Sequence, residues 1–282
     1  MLKSAAALLV LALCSLPLPS QEKPSLQTGP DPYLGPVHTV HVEKSVSRNG
    51  GEPRKNVVLD ATYDEHGYAT SSTSYRDDGT IHQKLAWEST YDAQGRVTQR
   101  RYINATGDLT NTGVYTYPKE RVVELDQVNP DGSLNHHAIQ LYDEAGNMVA
   151  VSRRYPALGK MFSETTTYDD RGNPIERRNY DENSVLKQRS VGTYDAYGHA
   201  LQWTVYESDG KTYQVTNRTL QCDAKGHIVK AVNLSRDGAV QNTETMTYVF
   251  DEHGNWTRKT TVREFPHGGQ ETEILERTIT YY

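Results

Sequence analysis

Histidine, cysteine, carboxylate and tryptophan are the side chains in this sequence that could do chemistry, and their spacing decides how much of it is open to them. Ten histidines come first, because neutral imidazole is the commonest metal ligand and a ready general base. His66 and His253 precede a glycine in short turn-like segments, while His199 and His227 follow one; Gln94, Asn147, Asn173 and Arg96 fill the same slots elsewhere. A slot that accepts so many chemistries reads as an exposed turn position. His136 and His137 are adjacent, so on a strand they point to opposite faces and cannot jointly hold one ion. Asp77-Asp78-Gly79 and Asp169-Asp170 offer oxygens to Ca²⁺, which takes roughly 6–8 of them. The Gly-rich nonapeptide of calcium-binding β-rolls is absent, and aspartate is already accounted for as a turn former. The expectation is no metal and no cofactor.

Of two cysteines, Cys14 falls in the N-terminal apolar run, so a mature chain carries only Cys222 and no intrachain disulfide. Cys222 occupies a position that is tyrosine in related segments, and is expected to be a buried small hydrophobe. No Gly-x-Ser-x-Gly elbow, His-Glu-x-x-His helix, phosphate loop or dinucleotide fingerprint occurs. With 36 Asp plus Glu, paired carboxylates of a carbohydrate-active hydrolase stand as the enzymatic alternative, though nothing singles out two of them. Trp87, Trp203 and Trp256 are the strongest platforms for stacking a sugar or another ligand.

What must position these residues is a repeat. An aromatic or Cys, then Asp, two variable residues and Gly recur at Tyr63-Asp64-Gly67, Tyr91-Asp92-Gly95, Tyr142-Asp143-Gly146, Tyr168-Asp169-Gly172, Tyr194-Asp195-Gly198, Cys222-Asp223-Gly226 and Phe250-Asp251-Gly254. The glycines are 28, 51, 26, 26, 28 and 28 residues apart, so the gap of 51 holds two units, with a decayed copy at Tyr117-Pro118-Lys119-Glu120. A second set of turn residues falls between them: Gly79, Gly107, Gly132, Gly159, Asn183, Gly210 and Gly238. Two turns per unit, separated by segments of about ten residues, mark short antiparallel strands. Asp or Asn with Gly supplies the positive φ that tight hairpins demand. Ile81, Leu85, Trp87 and Tyr91 alternate in step, as do Leu109, Tyr115 and Tyr117, and Val240, Met246, Tyr248 and Phe250. No sustained helical stripe occurs.

The fold expected is therefore all-β. It is one long antiparallel β-meander of about sixteen short strands built from units of 26–28 residues, curled into a strip, a spiral or a barrel-like shell. The first strands are Val37–Val46 and Asn56–Tyr63 and the last is Thr278–Tyr282. Each hairpin needs its neighbours, because an isolated one is marginal in water. Replacing Gly95 by Val is expected to cost more than about 1 kcal/mol through strained φ.

Composition fits half-wet sheets better than an oily centre: 35% hydrophobic residues, 19 Tyr against 3 Phe and 3 Trp, and a mean hydropathy of −0.74. A net charge of −6 with no basic block gives no support to nucleic-acid or anionic-membrane binding. Lys3, the apolar run Ala5–Cys14 and Ser-Leu-Pro-Leu-Pro-Ser have the layout of a secretory signal. The apolar run falls short of the about 20 residues a membrane helix needs. Residues 1–20 are thus expected to be a signal peptide, 21–36 a Pro-rich tether, and 37–282 a single β domain. A lipoprotein anchored at Cys14 is disfavoured by the bulky Leu13 before it. An outer-membrane barrel is disfavoured because Ala69–Ser74 is polar on both faces.

The spaced Tyr-Asp-x-x-Gly and Asp-Gly signals over roughly residues 56–282 resemble the YD repeats of the RHS family, found in bacterial surface proteins, polymorphic toxins and the teneurin shell. Cys222 and Phe250 depart from the pattern, as does the copy at Tyr117. The resemblance implies a shell or binding surface, with enzymatic activity belonging to appended domains. The functional expectation is a secreted or periplasmic bacterial protein, not an enzyme, presenting a β surface to a glycan or a cell-envelope protein. Beside it stand the hydrolase and a purely structural spacer.

Overall fold

The computed structural model describes residues 33–282, apart from the side chains of 213–215. The expected signal peptide, and residues 21–32 of the expected tether, lie outside the described residues. Residues 33–36 are not a free tether: Leu34 N–H donates to Asn255 Oδ1 at 2.7 Å, and Asn255 Nδ2 donates back to the Leu34 carbonyl at 2.8 Å.

Among the described residues, eighteen strands follow. The first nine are β1 (Val37–Arg48), β2 (Arg54–Tyr63), β3 (Ala69–Tyr75), β4 (Ile81–Tyr91), β5 (Val97–Ile103), β6 (Leu109–Lys119), β7 (Val122–Val128), β8 (Leu134–Tyr142) and β9 (Met148–Tyr155). After one 3₁₀ turn, Pro156–Leu158, come β10 (Lys160–Tyr168), β11 (Pro174–Tyr180), β12 (Leu186–Tyr194), β13 (Ala200–Glu207), β14 (Thr212–Cys222), β15 (Ile228–Leu234), β16 (Val240–Phe250), β17 (Trp256–Glu264) and β18 (Gln270–Tyr281). Each pairs antiparallel with the next, and β1 pairs with β18, from Val37↔Tyr281 to Arg48↔Glu271. The meander is therefore neither strip nor spiral. It is a closed ring, and closure removes the unpaired edges that an open sheet exposes to aggregation.

The count exceeds the expected sixteen because two reversals lack the repeat signature. One is Asn49-Gly50 between β1 and β2; the other is Phe265–Gly269, where Phe265 N–H bonds to the Gly269 carbonyl at 3.2 Å. Most of the reversals, the one at Phe265 included, share one backbone pattern. Asp64 N–H donates to the Tyr68 carbonyl and Gly67 N–H to the Asp64 carbonyl, both at 2.9 Å, and the pattern recurs at Asp92, Asp143, Asp169, Asp195, Asp223 and Asp251. The fourth residue of that loop sits at positive φ, which only glycine adopts without cost. In the decayed copy Arg121 takes it (φ 61°), and beside Asn183 it is Ser184 (φ 60°), not Asn183, that turns left-handed.

Turns alternate between the two mouths of the ring. All the Tyr-Asp reversals lie at one mouth, together with the start of β1 and the end of β18; the Asp-Gly reversals lie at the other.

Among the described residues there is no separate oily centre. One face of the sheet is the more occluded, with Tyr115 6% exposed beside Val114 at 37%, and this is the concave face, where side chains converge. Val40, Ala61, Val123, Ala138 and Met246 are buried on it. Patches form between neighbouring strands, such as Val37, Val40, Val42, Ala61 and Tyr63, and Tyr68, Val97, Tyr115 and Val123. About eight strands suffice for side chains to fill a barrel, whereas rings of about 16–18 enclose a water-filled space. Inner-face Gln140, Arg153, Glu164, Asn242 and Lys259 are accordingly half-buried rather than sealed. The outer face is rich in threonine and crossed by ion pairs such as Arg101 with Glu88 and Lys55 with Glu43, unlike the apolar band of a lipid-facing barrel. No helix among the described residues is long and apolar enough to cross a membrane.

Candidate functional site

The Tyr-Asp mouth is a ring of near-identical polar modules. In six of them one aspartate oxygen accepts two backbone N–H groups: Asp169 Oδ1 takes those of Arg171 at 3.0 Å and Asn173 at 2.8 Å. In five of them the other oxygen takes the side chain of the residue after the glycine, as Asp169 Oδ2 takes Asn173 Nδ2 at 2.9 Å. Asn147, Arg96, His199 and His227 do the same for Asp143, Asp92, Asp195 and Asp223. The Asn173 side chain and N–H hold the Asp169 carboxyl below its usual range. In several modules a tyrosine of the next unit then closes the turn, whereas Cys222 takes that place at Asp195. Tyr91 donates to Asp64 and Tyr281 to Asp251, while Tyr168 and Tyr194 reach the carbonyls of Met148 and Pro174.

Of the turn histidines expected to be exposed, His66 and His253 are, but His199 and His227 are not. His199 and His227 are half-buried on their aspartates, and His66 and His253 stack on Tyr91 and Tyr281, each with centroids 3.9 Å apart. The slot tolerates Arg, Asn and His because each presents a donor to the same carboxylate. His137 bonds to Asp126 at 2.7 Å on the outer face, while His136 lies against Tyr155, centroids 5.1 Å apart, on the inner.

The three tryptophans all lie on the inner face but far apart around the ring, on β4, β13 and β17. Trp256 is 6% exposed, and the Arg277 guanidinium lies 3.2 Å from its ring centroid, so no face is left for a ligand. Trp203 lies on Gly192 across the β12–β13 pairing. Trp87 is half-buried and adjoins a feature that the sequence did not single out. Arg100 on β5 sits 5.3 Å from the Trp87 centroid and 5.9 Å from those of Tyr68 and Tyr102. Its Nη2 donates to the Ala69 carbonyl at 3.1 Å, while its buried Nε has no protein acceptor. Only the strand register, which brings Ser89 opposite Arg100 and Trp87 opposite Tyr102, makes this aromatic-walled guanidinium visible.

At the Asp-Gly mouth the inner face is charged. A cleft of about 460 Å³ is lined by Lys44, Arg48, Arg54, Asp77, Glu271 and Glu273 among others. Glu271 is clamped between Arg48 Nε at 2.8 Å and Arg263 Nη1 at 2.6 Å, and Arg263 also donates to Glu244 at 2.8 Å. Among the described residues, every carboxylate whose acidity the fold displaces is displaced downward. Examples are Asp181, held by Lys187, and Glu176, held by Arg189 and Arg178. A glycosidase acid needs the opposite displacement.

Cys222 is half-buried, not buried as expected. Its Sγ lies 3.6 Å from both Asp195 Oδ2 and His199 Nδ1, and burial together with the Asp195 charge pushes the thiol pKa up. Asp195 and Cys222 meet the same imidazole nitrogen, so no Cys-His-Asp relay is formed, and a nucleophile has no base behind it.

No protein-family profile matches the chain, and no curated protein matches it. Among solved structures it is similar to a porin-like protein from Bacteroides uniformis, with 12% identity and a TM-score of 0.42 over 88% of this chain and 98% of that one. It is also similar to a LolA superfamily protein from Nitrosomonas europaea, with 11% identity and a TM-score of 0.26 over 89% and 88%. A third likeness is to the TcdB2-TccC3-Cdc42 structure, with 12% identity and a TM-score of 0.28; it covers 80% of this chain but 15% of that one. With TM-scores this low, the closed all-β ring rests on its own strand pairing and on none of these likenesses.

Proposed function

We propose that this is an exported, non-enzymatic YD-repeat protein whose ring takes a glycan against its inner wall. The observation that carries the reading is the wall at Arg100: the half-buried indole of Trp87 and the ring of Tyr102 on the inner face, beside the Arg100 guanidinium. A sugar ring needs an aromatic face for its C–H groups, and Trp87 and Tyr102 offer one with a positive charge beside it. Trp87 alone of the three tryptophans carries this role; Trp203 and Trp256 serve packing. The downward-displaced carboxylates and the uncoupled Cys222 support binding rather than turnover. The signal-like residues 1–20 support export to the periplasm or beyond, where envelope glycans are available.

Isothermal titration of the chain lacking residues 1–20 against oligosaccharides chosen from a glycan array tests this. Binding should weaken at least about tenfold in both Trp87→Ala and Arg100→Gln, with ellipticity unchanged. Silence across the array, or binding indifferent to both substitutions, would overturn the glycan reading. Turnover of a polysaccharide abolished by a single Asp or Glu substitution would replace it with the hydrolase.

A further inference from the structure

We propose that Asp195, His199 and Cys222 form a binding site for a zinc-class divalent cation, with solvent as the fourth ligand. The three donor atoms come from two successive reversals at the Tyr-Asp mouth and lie within 4.8 Å of one another. Cys Sγ, His Nδ1 and one carboxylate oxygen are the mixed set that Zn²⁺ accepts, and three protein ligands with an open position is the arrangement of a site that exchanges its fourth ligand.

The distances fit the ion. Metal–ligand bonds of about 2.3 Å to sulfur, about 2.05 Å to nitrogen and about 2.0 Å to oxygen give tetrahedral edges of about 3.6 Å for S···N, about 3.5 Å for S···O and about 3.3 Å for N···O. The chain shows 3.6 Å from Sγ to Nδ1, 3.6 Å from Sγ to Oδ2 and 2.9 Å from Nδ1 to Oδ2. Two edges are already in place, and the third opens by roughly 0.4 Å when the direct His–Asp hydrogen bond gives way to the ion. Support behind the ligands is also present: Asp195 Oδ1 accepts the N–H groups of Tyr197 and His199, both at 2.9 Å, which fixes the carboxylate with Oδ2 turned to the other two donors. The His199 and Asp195 side chains are 25% and 17% exposed, so an ion and its water have access.

The repeat supplies its own controls. Asp223 and His227 make the same 2.9 Å contact, but the residue in the thiol's place there is Phe250, which offers no donor. At Asp64 and Asp251 that place holds Tyr91 and Tyr281, whose hydroxyls bond to the carboxylate. Among the described residues, only the unit that ends in Cys222 brings sulfur, nitrogen and oxygen together. On binding, the thiol releases its proton to solvent, the ion takes the thiolate, the imidazole lone pair and the carboxylate, and no electron is transferred.

Cobalt(II) is the probe, because a thiolate ligand gives it an intense near-ultraviolet charge-transfer band. The chain lacking residues 1–20, stripped of metal by chelator and kept reduced, should take up one Co²⁺ with that band and tetrahedral visible absorption, and Zn²⁺ should abolish both. Cys222→Ser should lose the charge-transfer band, and Cys222→Ser and His199→Asn should each weaken uptake at least about 100-fold, while His227→Asn leaves it unchanged. The absence of a charge-transfer band in the unsubstituted chain would overturn the proposal. So would uptake as tight in Cys222→Ser as in the parent chain, or uptake that depends on His227 instead. Should a variant fail to fold, the presence or absence of the band in the unsubstituted chain still decides between the two outcomes.

Discussion

The indole of Trp203 lies against Gly192 so closely that a Cβ built on the glycine would sit 2.4 Å from both Cε3 and Cζ3. The glycine is absent from every turn; it lies mid-strand, where glycine ordinarily weakens a sheet, and its missing side chain is the space the indole occupies. Gly192→Ala should destabilise the protein by about 1–3 kcal/mol, as overpacking does. In a Trp203→Leu background the same change should cost measurably less, because the pair shares one volume. Urea denaturation of the four chains gives the comparison, and equal costs in both backgrounds would show that the contact is not responsible.

Two turns of the same geometry should respond in opposite directions. Gly95 holds φ +77°, so Gly95→Val should cost more than about 1 kcal/mol in melting experiments. Ser184 holds φ 60° in an exposed loop, so Ser184→Gly should raise stability by roughly 0.5–1 kcal/mol by relieving strain. A Ser184→Gly chain that melts lower than its parent would contradict the assignment of strain.

How far the sequence disclosed this molecule can be seen in these positions. Gly95 was legible because Tyr91-Asp92 announces it and the spacing repeats it; the same signature gave the all-β meander and its reversals. Closure was not legible, because β1 and β18 are joined by register, Val40 opposite Ile279 and Lys44 opposite Leu275, and register between chain ends leaves no local mark. Asn49-Gly50 and Phe265–Gly269 lay outside the repeat signature, hence the short count. At the candidate sites the residue types were readable but their company was not. Trp256 looked like a platform until Arg277 covered it, and Cys222 looked like a spare tyrosine until the turn of the preceding unit placed Asp195 and His199 beside it.

Stability should fall at both ends of the pH scale, for groups of opposite displacement. Asp169, Asp181 and Asp223 have lowered folded values, from the Asn173, Lys187 and His227 side chains respectively. Their contribution is complete above the unfolded value of about 3.9 and is lost as pH falls through the folded ones, so Tm should drop below about pH 4. Tyr63 and Tyr281 are pushed up to about 12, chiefly by burial. Their contribution is complete below about pH 10 and disappears as pH climbs from there towards 12. Tyr63→Phe, which touches no carboxylate, should blunt the alkaline limb and leave the acid limb unchanged; a scan of Tm against pH for both chains decides it.

Removing residues 270–282 takes out β18 and leaves β1 and β17 each with an unpaired edge. The shortened chain should associate or precipitate where the full chain stays dispersed, because open edges recruit strands from other molecules. Light scattering after size exclusion reports the difference, and a monodisperse, folded product would mean that the ring does not depend on its last member.

An even number of antiparallel passes returns a polypeptide to the side from which it set out, and Val37 and Tyr281 are accordingly paired. A cargo, label or support fused to either end of the barrel is thereby held on the side of the Tyr-Asp reversals, the mouth that also carries His199 and Cys222. The opposite opening, with Arg48, Glu271 and the other charges around it, then points away from whatever holds the molecule and stays accessible to bulk solution.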